Sequence, residues 1–211
     1  MKKLVLFLLL VFPFTHCNDC TFADLNRDTK PYYDLQGITV LPLQVISIDD
    51  RFNNSPSYNV ERFPEAQPLV ADSLVIALSG NVAFYGNLPS RRSASPWAAY
   101  ACDPVPNGYK GTEEEVQAIT VRCDRDFDAT HPAGSSLNAY FDYLNGGYFR
   151  RVREDNLAEY GKRFPLPAAR SFGLRLLKAP DQKTGTYTFT VEYALTNGEV
   201  YTARTRNITF K

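Results

Sequence analysis

A chain of 211 residues with 23 basic and 23 acidic side chains scattered along it, and so a formal net charge of zero, has no electrostatic footprint for nucleic acid. Two histidines in all leave most zinc enzymes without a ligand set. Thirteen Tyr and fourteen Phe against a single Met and a single Trp, with fourteen Pro as punctuation, suit a β protein with many turns and argue against long helices.

Lys2-Lys3 precede the apolar run from Leu4 to Phe14, which is too short to cross a bilayer as a helix but has the length of a signal-peptide core. Residues 1–16 are therefore expected to be a signal peptide. Phe14-Thr15-His16-Cys17 resembles a bacterial lipobox, which makes Cys17 the expected lipid attachment. Such boxes usually carry Leu first and a small residue before the Cys, and Phe14 and His16 depart from both. Cleavage after Thr21-Phe22-Ala23 is the competing reading, because it places a small residue at each position that ordinary signal peptidase reads. Residues 17–31 are polar and read as a tether, with 32–211 as one β domain.

Within that domain, residues 32–40 and 43–48 read as strands, separated by Pro42 at a bulge or a change of sheet. The second run carries apolar residues on both faces and belongs between layers. Residues 49–67 read as a surface loop. Residues 73–85 form the most apolar segment, a central strand with a bulge expected at Gly80. Residues 89–106 read as loop, with a short strand at 98–102.

Thr112 and Glu115 have the spacing of a helix capping box, but Ile119, Val121 and Cys123 alternate with Thr120 and Arg122, which favours a strand. Residues 124–167 hold no sustained period. Within them Ser135 to Leu144 fits a short helix with Leu137, Phe141 and Leu144 on one face, stopped by Asn145-Gly146-Gly147. Residues 171–178 then feed a terminal hairpin as a three-stranded meander.

The hairpin turns at Asn197-Gly198, pairing Leu195 with Val200 and Tyr187 with Ile208. That puts Tyr187, Phe189, Val191, Tyr193 and Leu195 on one face, which must be covered. The same register puts Arg204 and Arg206 on the aromatic face, so a bulge or an open edge is required. The expected fold is all-β: an antiparallel β-sandwich, immunoglobulin-like in style, with a loop and short-helix excursion over 124–167.

Four cysteines sit in a chain expected to be exported, where disulfides persist. Cys17 and Cys20 have the gap of redox and metal motifs, but a redox pair belongs at a helix start and zinc needs two further ligands. With Cys17 lipidated, the expected bridge is Cys20 to Cys102, leaving Cys123 as a core residue. With cleavage after Ala23, it is Cys102 to Cys123.

His131 with Ser135 or Ser136 is the one route to a serine hydrolase, set among turn residues rather than a nucleophile elbow. Asp124, Asp126 and Asp128 resemble the start of a calcium loop but lack its Gly and closing Glu, so a solvated turn is the heavier reading. No metal or cofactor is expected. Tyr140, Tyr143, Tyr148 and Phe149 are the candidate contact surface for a protein or glycan partner, weighed below the plainer reading that they pack a loop onto its own domain.

Ala101-Cys102-Asp103-Pro104-Val105-Pro106-Asn107-Gly108-Tyr109-Lys110-Gly111, then Ile119-Thr120-Val121, then the run from Asp126 through His131-Pro132 to Leu137-Asn138 resemble a family of uncharacterised lipoproteins of Bacteroidetes-type bacteria over most of the mature chain. The resemblance implies an envelope protein outside the cytoplasm and carries no activity. The expected function is that of an exported, lipid-anchored outer-membrane protein, non-catalytic, acting in binding or assembly. The alternative is a carbohydrate-active enzyme or sugar-binding module, since two carboxylates suffice for glycoside hydrolysis and leave no sequence spacing.

Overall fold

The computed structural model describes residues 32–49, 56–64, 67–85, 111–146, 149–182 and 185–211, excluding the side chains of 152–155. The leader, Cys17, Cys20, Cys102, Tyr148 and the strand expected at 98–102 lie outside the described residues. The chain divides into two compact units. In the smaller one the described residues are the strand ends Tyr32-Tyr33 and Phe84-Tyr85, with the rings of Tyr32 and Tyr85 stacked 6.1 Å apart. The larger unit, Asp34–Ala83 with Gly111–Lys211, holds the core.

The elements are β1 (Tyr32–Asp49), β2 (Ser57–Glu61), β3 (Leu74–Tyr85), β4 (Glu115–Cys123), β5 (Phe141–Asn145), β6 (Arg150–Asn156), the one-turn helix α1 (Leu157–Gly161), β7 (Leu166–Pro167), β8 (Ser171–Leu176), β9 (Thr186–Tyr187), β10 (Phe189–Leu195), β11 (Val200–Arg204) and β12 (Ile208–Thr209). The expected all-β organisation in antiparallel sheets with almost no helix is present. Six strands close into a barrel in the order β1-β2-β6-β5-β8-β3, and β11-β10-β4-β7 form a four-stranded sheet. The antiparallel sheets are consistent with the expected all-β sandwich, and their strand order carries no immunoglobulin-like signature.

The strands of one barrel wall are buried on both faces. Leu74, Ile76 and Leu78 of β3, Phe141 of β5, and Phe172, Leu174 and Leu176 of β8 join Val116, Ile119 and Val121 of β4 and Phe189, Val191, Tyr193 and Leu195 of β10 in the main core. Val75 and Leu144, from the alternate positions of β3 and β5, meet Leu43 and Tyr58 in a second core with Phe149. Strand periodicity thus sends neighbouring residues into two different interiors. β1 behaves likewise: Ile38 and Val40 go to the main core, Leu43 and Val45 to the second. It runs continuously through Pro42, and its register shift falls between Val45 and Ser47.

Several expectations are corrected. Residues 135–144 are not a helix: a 3-10 turn at Asn138–Tyr140 leads directly into β5, and Leu137, Phe141 and Leu144 are buried without sharing a helical face. The stretch 49–67 contains β2, paired along the end of β1. β8 does not continue into the hairpin; it lies between β3 and β5, and the neighbour of β10 is β4. Gly80 sits at a close approach of backbone and side chain, with its N–H donating to Arg170 O at 2.7 Å and an added Cβ falling 2.3 Å from Leu35 Cδ1.

The terminal hairpin forms, and Tyr187, Phe189, Val191, Tyr193 and Leu195 are all buried. Its register differs by one residue, with Ala194 opposite Val200 and Tyr193 opposite Tyr201. The cause is the turn. Gly198 N–H donates to Leu195 O, Leu195 N–H donates to Glu199 O, and Gly198 has φ +92°, the pattern of a three-residue loop closed by a left-handed glycine. Arg204 is thereby turned outward to an exposed position while Thr205 enters the core, its Oγ1 accepting from Phe189 N at 3.0 Å. Past that point the register returns, and Ile208 pairs with Tyr187 as expected.

One edge of β4 is closed by a side chain. Asn138 Oδ1 accepts from Val121 N at 2.9 Å and its Nδ2 donates to Ile119 O at 2.7 Å, so a side-chain amide occupies the place of a strand's peptide group and blunts the edge.

Candidate functional site

Beyond β4 the chain reverses through three aspartates, each taken up locally. Asp124 Oδ1 accepts from Thr188 N and Asp126 Oδ1 from Ala133 N, both at 2.8 Å. Asp128 closes a tight turn: Oδ1 accepts from Thr130 N, Thr130 Oγ1 and His131 N within 3.0 Å. The spacing read as the start of a calcium loop therefore sends its carboxylates to three separate backbone sites. Among the described residues no group of three or more His, Cys, Asp or Glu is placed to hold a metal ion.

Asp128 is the hub of a polar cluster. His131 Nδ1 lies 2.8 Å from Oδ1, while Oδ2 accepts from Tyr140 O–H at 2.8 Å and Lys178 Nζ at 2.7 Å. The Lys178 ammonium also lies 4.9 Å from the centre of the Tyr140 ring, and the His131 and Tyr140 ring centres are 4.8 Å apart. Lys178 first, then His131, hold the Asp128 carboxyl well below the ordinary range against the opposing effect of burial, with Thr130 and Tyr140 adding to the pull. The same contact with Asp128 raises Lys178.

An ionised carboxylate so fully engaged offers no free lone pair to a substrate; it organises the loop. Among the described residues neither serine hydrogen-bonds to His131: Ser135 Oγ donates to Pro132 O at 2.7 Å, and Ser136 Oγ accepts from Asn138 N at 3.5 Å.

A group whose folded pKa is depressed stabilises the fold above its unfolded value, about 4 for Asp, and loses that contribution as pH falls through the folded pKa. Asp128→Asn is therefore expected to flatten the acid limb of a Tm profile taken from pH 2 to 7. An unchanged limb would show that the cluster does not couple to folding.

A second charged group lies inside the barrel. β5 sends Phe141 to the main core and Asp142 to the opposite side, where it stands across from Arg175 of β8. Asp142 is 1% exposed. Arg151 of β6 approaches with Nε 3.2 Å from Oδ2 and Nη2 3.3 Å from Oδ1, and Arg175 Nη1 is 3.9 Å from Oδ2. Arg175 is itself fixed, donating from Nε to Asp72 O at 3.2 Å and from Nη1 to Tyr58 Oη at 3.3 Å, with its guanidinium 4.8 Å from the Tyr58 ring centre. Burial pushes the Asp142 carboxyl up, and the two arginines recover only part of that shift.

The aromatic candidates are mostly turned inward. Tyr143 is sandwiched between Tyr160 of α1, 4.2 Å away and nearly parallel at 10°, and Phe172, 5.1 Å away. Phe172 stacks in turn on Tyr193. Burial raises the Tyr143 hydroxyl above its ordinary value. Tyr140 stacks on Phe127 at 5.5 Å. Phe149, with φ +44°, packs into the barrel core where Gly173 makes room; a Cβ there would lie 2.6 Å from the Phe149 ring. The structure thus unites Tyr143 with Tyr160 and Phe172, not with Tyr140 and Phe149 in one open platform.

Cys123 is a buried free thiol, its Sγ 2.8 Å from Arg125 O, and burial raises it. Cys123 lies in the main core, on the inward parity of β4, and its candidate partner Cys102 lies outside the described residues. No protein-family model, curated protein or solved structure matches this chain.

Proposed function

We propose that the chain is an exported lipoprotein of the cell envelope, akin to the Bacteroidetes-type family it resembles, and that its β domain acts by binding or assembly and not by turnover. The observation that carries the non-catalytic part is the engagement of its most perturbed carboxylates. Asp128 is ion-paired with Lys178 and hydrogen-bonded to His131, and Asp142 lies buried against Arg151 and Arg175. Strongly shifted carboxyls mark catalytic sites when a cleft exposes them, and these two are built into a loop hub and a barrel interior. The anchor rests on the leader and Cys17, with residues 17–31 as tether and a Cys20 to Cys102 bridge joining it to the domain.

The test is metabolic labelling of the full chain with an alkynyl fatty acid, beside Cys17→Ala. Label and detergent partitioning that vanish in Cys17→Ala support the anchor; an unlabelled soluble protein beginning at Asp24 overturns it. Turnover in a broad glycan hydrolase screen, abolished by one Asp or Glu substitution, would overturn the binding role. Capture on a glycan array without turnover would identify the partner as a sugar, and capture of a single envelope protein would identify assembly.

A further inference from the structure

We draw no further inference here: the strongest candidate, the exposed aliphatic side chains of Ile46 and Ile48 at the end of β1, carries nothing because nothing in the structure shows what covers them.

Discussion

Asp142→Ala is expected to be among the most destabilising single changes in the domain. Removing one partner of a buried ion pair leaves an uncompensated charge and costs about 3 to 5 kcal/mol. Here the lower part of that range applies, because Arg175 and Arg151 keep 18% and 25% of their side-chain surface in water. At roughly 2 to 4 °C per kcal/mol for a chain of this size, that is a fall in Tm of roughly 6 to 12 °C. Replacing Asp142, Arg151 and Arg175 together by apolar residues of similar volume should recover much of the loss. If the triple variant is no more stable than Asp142→Ala, the arginines contribute by packing and the charge argument fails.

Asp142 also supplies a pH signature opposite in sign to that of Asp128. Its folded pKa is raised by burial, so its contribution is fully present below the unfolded value near 4 and is lost as pH rises through the folded value. The stability advantage of the native chain over Asp142→Asn should therefore shrink with rising pH. The advantage over Asp128→Asn should grow. Melts of both variants across pH 3 to 8 separate the two carboxyls, and parallel profiles would mean that one of the two environments has been misassigned.

What could be read from sequence depended on whether a strand has one buried face or two. β10 alternates Phe189, Val191, Tyr193 and Leu195 with Thr190, Glu192 and Ala194, because its other face carries small and polar side chains, and period-2 contrast exposes it directly. β5 reads Phe-Asp-Tyr-Leu-Asn, a run whose inward residues belong to two interiors and include an acid. Its spacing of Leu137, Phe141 and Leu144 imitated a helical face by chance. The partners of β8 are a matter of pairing between segments distant in the chain, and nothing local in Ser171–Leu176 distinguishes a barrel wall from a hairpin neighbour.

The polar cluster was legible in part. Asp128 and His131 are three residues apart and sit in evident turn chemistry, whereas Tyr140 and Lys178 lie 12 and 50 residues from Asp128 and arrive only through the fold. The Asp142 group carried one faint signal, a lone acid flanked by Phe141, Tyr143 and Leu144, where a strand would have to bury it and find it a cation. The hairpin register failed on a detail of turn length: Asn197-Gly198 fits a two-residue loop and also the end of a three-residue one.

Tyr143→Ala is the second large expected effect, and it decides between two roles for the aromatic residues. A ring used for partner contact can be removed with thermal stability nearly unchanged, whereas truncating a packed aromatic to Ala costs about 3 to 5 kcal/mol. The stack of Tyr160, Tyr143, Phe172 and Tyr193, with centres 4.2, 5.1 and 5.8 Å apart, places Tyr143 in the second class. Tyr143→Ala should lower Tm by roughly 6 to 20 °C at this chain length, while Tyr143→Phe, which keeps both ring faces, should lose about 1 kcal/mol or less. A double-mutant cycle with Tyr160→Ala should return a coupling of about 0.5 to 1.5 kcal/mol, the size expected of an offset aromatic pair. Zero coupling with an unchanged Tm for Tyr143→Ala would remove the stack as a source of stability and return Tyr143 to the contact surface. Tyr160 closes the stack at a half-buried position on α1, with the half-buried ring of Phe164 edge-on to it at 6.0 Å, so a glycan or protein partner on this side would meet Tyr160 before Tyr143. Tyr160→Ala should then weaken capture more than Tyr143→Phe does.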